Sequence, residues 1–158
     1  MRFATPVMTT MRTFALIFLV VAVAACSRTP TGVGNGTEAT PGSQQEFLVT
    51  VGDRVFFETD SSVITAEGQG TLDKQAAWLN QYGNYRILIE GHADERGTRE
   101  YNIGLGARRA SAVVNYLVSK GVNQLRISSK SFGKERPVAI CNDISCWSQN
   151  RRAVTVLE

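Results

Sequence analysis

From residue 90 to residue 109 the chain reads Glu-Gly-His-Ala-Asp-Glu-Arg-Gly-Thr-Arg-Glu-Tyr-Asn-Ile-Gly-Leu-Gly-Ala-Arg-Arg. The apolar run Ile87 to Ile89 leads into this segment as a strand, and the segment continues into a helix. Asp94 then stands at the carboxyl end of the strand, and Arg109 about three helical turns beyond the loop. A carboxylate and a guanidinium facing one cavity suit a ligand that carries both an ammonium and a carboxylate. The zwitterionic head group of an amino acid is the simplest such ligand.

Hydrolytic chemistry fits these residues poorly. His92 is the only histidine of the chain. A metal hydrolase built on His92, Asp94 and Glu95 would crowd its ligands onto one loop with no second histidine. A Ser-His-Asp arrangement would depend on the same single base and lacks a strained nucleophile elbow. The expectation is a binding module without enzymatic activity, metal or cofactor, in which His92 orders its loop by hydrogen bonding its ring to the backbone. Gly104-Leu105-Gly106 resembles the start of a dinucleotide fingerprint, but it falls within a helix and Arg109 takes the last glycine position. Small residues there are expected to let the helix approach the sheet or the ligand. Arg108, about 100° around the helix from Arg109, faces elsewhere. Arg151 and Arg152 are expected to be a solvated or salt-bridged pair of structural importance only.

The elements that must position these groups can be read from periodicity. Val49, Val51, Val55, Phe56 and Phe57 mark a first strand region, interrupted at Gly52-Asp53. Thr65 is suited to cap a helix with Leu72, Ala76 and Leu79 on one face, and Gly83 to stop it. Tyr85 to Glu90 forms a second strand. Tyr101 to Ser119 forms a second helix, with Leu105, Ala112, Val113, Tyr116 and Leu117 at helical spacing and Gly121 beyond its end. Leu125 to Ser131 and Ala153 to Leu157 are short strands, separated by a cysteine-containing loop with room for a helical turn. The order βαβαββ predicts an α+β fold, a mixed four-stranded sheet with helices packed on one face.

The amino terminus has a different character. Phe14 to Ala25 is an unbroken apolar run of 12 residues, preceded by Arg2 and Arg12 and by no acidic residue. It is too short to span a bilayer, which takes about 18 residues or more, and reads as a secretory leader over residues 1–25. Val23-Ala24-Ala25-Cys26 resembles a bacterial lipobox, which implies cleavage before Cys26 and its acylation; the alternative is an ordinary leader with a chance cysteine. Acyl chains contribute about 0.8 kcal/mol per buried methylene, so Cys26 would be an anchor. Ser27 follows it rather than the aspartate associated with inner-membrane retention, which favours the outer membrane. Residues 27–45 are rich in Gly, Thr, Pro, Ser and Gln, the composition of a flexible tether. A single domain from Glu46 to Glu158 follows. Loss of the leader lowers the formal charge from +3 to +1, which gives no reason to expect nucleic acid.

Several ordered segments together resemble one family. Phe57-Glu58-Thr59-Asp60, Gly91 to Thr98, Tyr101-Asn102, Leu105 to Ala110, Ser131 to Glu135 and Asn150 to Ala153 are similar to the OmpA-like peptidoglycan-binding domain. The resemblance covers about residues 47–158 and departs from the common pattern at Glu58 and Ser61-Ser62-Val63. It implies a ligand, the meso-diaminopimelate of the peptidoglycan stem peptide, held without a covalent bond. Asp94 would receive the ammonium of its D-configured centre and Arg109 would grip the adjoining carboxylate. Thr59, Asp60, Arg96, Thr98 and Leu105 fall at positions that line the pocket. The lipobox and short tether resemble the lipid-anchored members of the family. That narrower likeness implies partners in the Tol system, a periplasmic propeller protein and a trans-periplasmic Tol protein, and a role at cell division; the alternative is a wall-binding lipoprotein outside that system. With Cys26 acylated, Cys141 and Cys146 remain as an even pair in an oxidising compartment. They are expected to close a six-residue loop as a disulfide, worth about 2 kcal/mol, the alternative being two free thiols.

Overall fold

The computed structural model describes residues 39–158. The expected leader, Cys26 and most of the tether lie outside the described residues. A four-stranded mixed sheet in the order β1-β4-β2-β3 forms the centre of the domain. β1 (Arg54–Phe56) and β2 (Ile87–His92) each run antiparallel to β4 (Arg152–Leu157), while β3 (Ile127–Gly133) runs parallel to β2. Val55, Ile87, Ile89 and Ala153 present one face of this sheet to the core. Leu72, Ala76 and Leu79 of one helix and Ala110, Val113 and Leu117 of another cover it. The α+β architecture follows from this single apolar face, which two amphipathic helices are long enough to bury.

The first strand region differs from expectation. Residues 44–51 are helical: α1 (Gln44–Glu46), capped by the Ser43 side chain, runs into a wider π-type turn over Phe47–Val51. Only Phe47 of that turn is fully buried, against Trp78 with ring centroids 5.0 Å apart, while Val49 is exposed. Ordered packing also begins before Glu46. The Gly42 carbonyl accepts the Tyr85 hydroxyl at 2.7 Å, and the Glu46 carboxylate accepts the Gly42 N–H and the Trp78 indole N–H, both at 2.7 Å. The end of the expected tether is thus fastened to a cluster of aromatic rings.

α2 (Ala66–Gln81) begins at Thr65, whose hydroxyl accepts the Gly68 N–H at 3.1 Å. α3 (Arg99–Ser119) begins at Thr98, whose hydroxyl accepts the Tyr101 N–H at 3.2 Å, and the chain leaves it through Gly121 at φ +91°. The cysteine-containing loop carries α4 (Ile144–Asn150), and a disulfide joins Cys141 to Cys146 with Cα atoms 5.7 Å apart.

α3 crosses β2 closely at two glycines. A Cβ added to Gly91 would overlap the Gly106 carbonyl, and one added to Gly106 would stand 2.8 Å from the Gly91 oxygen. Backbone meets backbone there, so neither side can yield by rotating a side chain. Gly91→Ala is expected to destabilise the domain by about 1 to 3 kcal/mol, the usual range for forced overpacking. A urea midpoint equal to that of the parent protein would contradict this contact.

Candidate functional site

β2 delivers Ala93 and Asp94 at its carboxyl end, where the Ala93 N–H donates to the Gly133 carbonyl at 2.7 Å. The chain then turns through Gly97 at φ +84° into the cap of α3. Lys134 holds this turn from outside by donating to the Glu95 and Gly97 carbonyls, and Asn102 holds it from inside by donating to those of Arg96 and Thr98. Asp94 is 7% exposed. Its Oδ1 accepts the Arg96 N–H at 3.1 Å and Nε at 3.0 Å, and its Oδ2 accepts Arg96 Nη2 at 2.7 Å. Arg151 Nη1 lies 3.5 Å from the same Oδ2. Burial alone would raise the Asp94 pKa, but the hydrogen bonds from Arg96 and the charges of Arg96 and Arg151 outweigh it. The carboxyl is therefore held below the usual aspartate range and remains an anion.

A recess of about 230 Å³ opens above Asp94. Of the residues expected around it, Thr59, Asp60, Asp94, Arg96 and Leu105 line it. Gly97, Tyr101 and Asn102 line it too, without having been expected as site residues. Tyr101 and Asn102 stand about one turn beyond the Thr98 cap and about one turn before Leu105, and that spacing is the signal that could have found them. The Tyr101 hydroxyl donates to Asp60, which takes φ +55°. Thr98 does not line the recess; its side chain caps α3.

Arg109 also stands outside the lining. One turn beyond Leu105 on α3, it is fully buried behind the Glu58–Ser61 loop. Nε donates to the Ser61 carbonyl at 2.8 Å, Nη1 to the His92 carbonyl at 2.8 Å and Nη2 to the Glu58 carbonyl at 3.1 Å. Its guanidinium carbon lies 5.1 Å from the Phe57 ring centre. Burial and the charge of Arg151 lower its pKa to about 10, while Asp94 and Asp60 act in the other direction. It stays a cation at neutral pH, and each terminal nitrogen keeps a second N–H beyond the one it donates to a carbonyl. Asp94 and Arg109 thus belong to one electrostatic neighbourhood, with the recess open to the first and closed by a loop over the second.

Of the two alternatives expected for Arg151 and Arg152, solvated or salt-bridged, the first does not hold: both are buried, at 5% and 4% exposure, and Arg151 is paired with Asp94. Arg151 Nε donates to the Phe57 carbonyl, and Arg152 donates to those of Asn150 and Arg136. Contrary to expectation, His92 makes no hydrogen bond through its ring to any described residue. The ring is stacked on Phe132, with centroids 5.6 Å apart, and Nε2 lies 3.5 Å from Glu90 Oε2. Burial, then the charges of Arg152 and Arg136, lower its pKa to about 4. Between pH 6.5 and 4 the unfolded chain takes up a proton that the fold refuses, so stability falls as pH falls through that window. The loss is expected to reach about 3 kcal/mol near pH 4, and to vanish in His92→Phe. A proton resonance titration of His92 near 6.5 would refute it.

A family model described as the OmpA family matches residues 56–151. The chain is 60% identical over 144 residues to a peptidoglycan-associated lipoprotein of Mesorhizobium japonicum, covering 88% of this chain and 86% of that one. It is 68% identical over 126 residues to one of Rhizobium meliloti, covering 80% and 71%. The crystal structure of the peptidoglycan-associated lipoprotein from Burkholderia pseudomallei superposes with a TM-score of 0.66 at 42% identity, over 67% of this chain and 90% of that one. The C-terminal domain of Helicobacter pylori MotB shares the fold alone, with a TM-score of 0.63 at 23% identity over 67% and 84%. The chain belongs to the OmpA family, among its peptidoglycan-associated lipoproteins.

Proposed function

We propose that this protein is a lipoprotein of the outer membrane, anchored by acylated Cys26, whose domain holds peptidoglycan without a covalent bond through the diaminopimelate of the stem peptide. The observation that carries this reading is a buried aspartate, kept anionic and facing a recess of amino-acid size, one loop away from a fully buried arginine. The ammonium of the ligand would compete with Arg96 for Asp94; Arg96 lies 4.3 Å over the Trp147 ring while it bonds Asp94, a contact that does not depend on the carboxylate. The carboxylate would be gripped by the remaining N–H groups of Arg109, once the Glu58–Ser61 loop shifts to admit it.

The likeness to the lipid-anchored members extends the proposal to the Tol system, with a periplasmic propeller protein and a trans-periplasmic Tol protein as partners. Lysine is diaminopimelate without the second carboxylate, so it isolates the part assigned to Arg109. Purified protein should sediment with sacculi containing diaminopimelate and be released by soluble stem peptide, and be retained far less by sacculi containing lysine. Equal retention on both walls would refute the assignment.

A further inference from the structure

A second hollow, of about 300 Å³, lies on the other side of the same loop. Phe56 and Glu58, at the end of β1 and beyond, Glu67 of α2, and Ser148 and Gln149 of α4 surround it, together with Arg151. Arg151 is 95% buried by its 5% exposure, and only its Nε is hydrogen bonded, to the Phe57 carbonyl at 2.9 Å. Nη1 has no hydrogen-bond partner and faces Asp94 Oδ2 at 3.5 Å, and Nη2 donates to no described residue. Buried donors are nearly always paired, so the unbonded Nη1 marks a guanidinium whose hydrogen-bonding capacity is not used up within the fold. The same side chain lines this hollow and touches the carboxylate of the Asp94 recess. One ion pair therefore separates the two cavities.

We propose that this hollow is a second subsite for the wall peptide, in which Arg151 takes a peptide carboxyl terminus while the diaminopimelate head group occupies the Asp94 recess. This rests on the diaminopimelate reading of that recess. The lining favours a carboxylate over a phosphate: Glu58 and Glu67 are exposed at the rim, and two negative side chains beside one guanidinium repel a doubly charged group. Those rim carboxylates instead accept the amide N–H groups that precede a peptide terminus. Half-exposed Phe56 offers an apolar wall for a small terminal side chain, and Ser148 and Gln149 offer hydrogen bonds to the amides. An anion on Arg151 also offsets one of the two positive charges beside Asp94. Asp94 then attracts an ammonium more strongly, so the two subsites reinforce one another.

Calorimetry on the full protein compares a diaminopimelate tetrapeptide ending in a free carboxylate with the same peptide ending in an amide. The amide is expected to bind about 10- to 100-fold more weakly, the usual range for a hydrogen bond to a charged group. Ser148→Phe, which fills the hollow without touching the Asp94 recess, should bring the acid down to the affinity of the amide. Equal affinity of the two peptides for the parent protein overturns the subsite without needing any variant. A penalty for amidation that persists undiminished in Ser148→Phe overturns it as well, since the carboxylate is then read elsewhere. If neither peptide binds, the diaminopimelate reading fails first and takes the subsite with it.

Discussion

Replacing Arg109 by alanine is expected to lower the unfolding free energy by about 3 to 5 kcal/mol, the range seen when one partner of a buried charged network is removed. The guanidinium is wholly buried and serves three main-chain carbonyls, those of Glu58, Ser61 and His92. Truncation leaves these acceptors without their donor, at about 1 to 3 kcal/mol for each that water cannot reach, and opens a cavity beside Phe57. Arg109→Lys keeps the charge, but one ammonium cannot meet three carbonyls arranged around a planar fork, so most of the loss should remain. Urea unfolding measures both. An alanine variant with the parent midpoint would show that the loop holds itself and that Arg109 is free to serve a ligand alone. The expected loss also changes how wall binding is read. A failure of Arg109→Ala to sediment with sacculi would mix a lost ligand contact with a collapsed loop.

This double duty of Arg109 marks where the sequence stops being legible. Its helix is readable, because Leu105, Val113 and Leu117 repeat at helical spacing and Gly121 lies beyond its end, although the Thr98 cap that starts it is not foreseen. Its hydrogen-bond partners are not, because they lie 17, 48 and 51 residues away and are main-chain oxygens with no side-chain signature. Arg151 and Arg152 escape a sequence reading for the same reason: carbonyls brought near by the fold make guanidinium burial tolerable, and composition does not reveal them. Asp94 is legible because its position depends on local order alone, a strand followed by a capped turn. The segment Phe47–Val51 misleads in another way. Alternating Phe47, Val49 and Val51 imitates a strand, yet one aromatic contact with Trp78 is the main burial there, and a helical turn supplies it. The insertion of β4 between β1 and β2 pairs the last strand with the first, a choice made by long-range packing.

Asp94→Asn provides the cleaner test of the site, and it is expected to weaken binding of a diaminopimelate peptide by about 30-fold to several thousand-fold, equivalent to about 2 to 5 kcal/mol. The substitution keeps shape and volume and removes only the charge, so the recess over Leu105 and Tyr101 stays open. Its effect on the fold should be much smaller than that of Arg109→Ala, because Arg96, the main partner of Asp94, is 40% exposed at its side chain and can turn to water. Arg151 is the exception, a buried cation that loses its nearest anion. Affinity must therefore be measured by titration on protein shown to be folded, rather than by sedimentation alone. Retained affinity in a folded Asp94→Asn protein would mean that the ammonium is received elsewhere, with Asp60 the only other carboxylate lining that recess. A loss confined to peptides whose D-centre amine is free, and absent when that amine is acetylated, would tie the effect to the ammonium itself. Charge on the ligand and charge on residue 94 would then be shown to act on one another, which the stability of the fold cannot imitate.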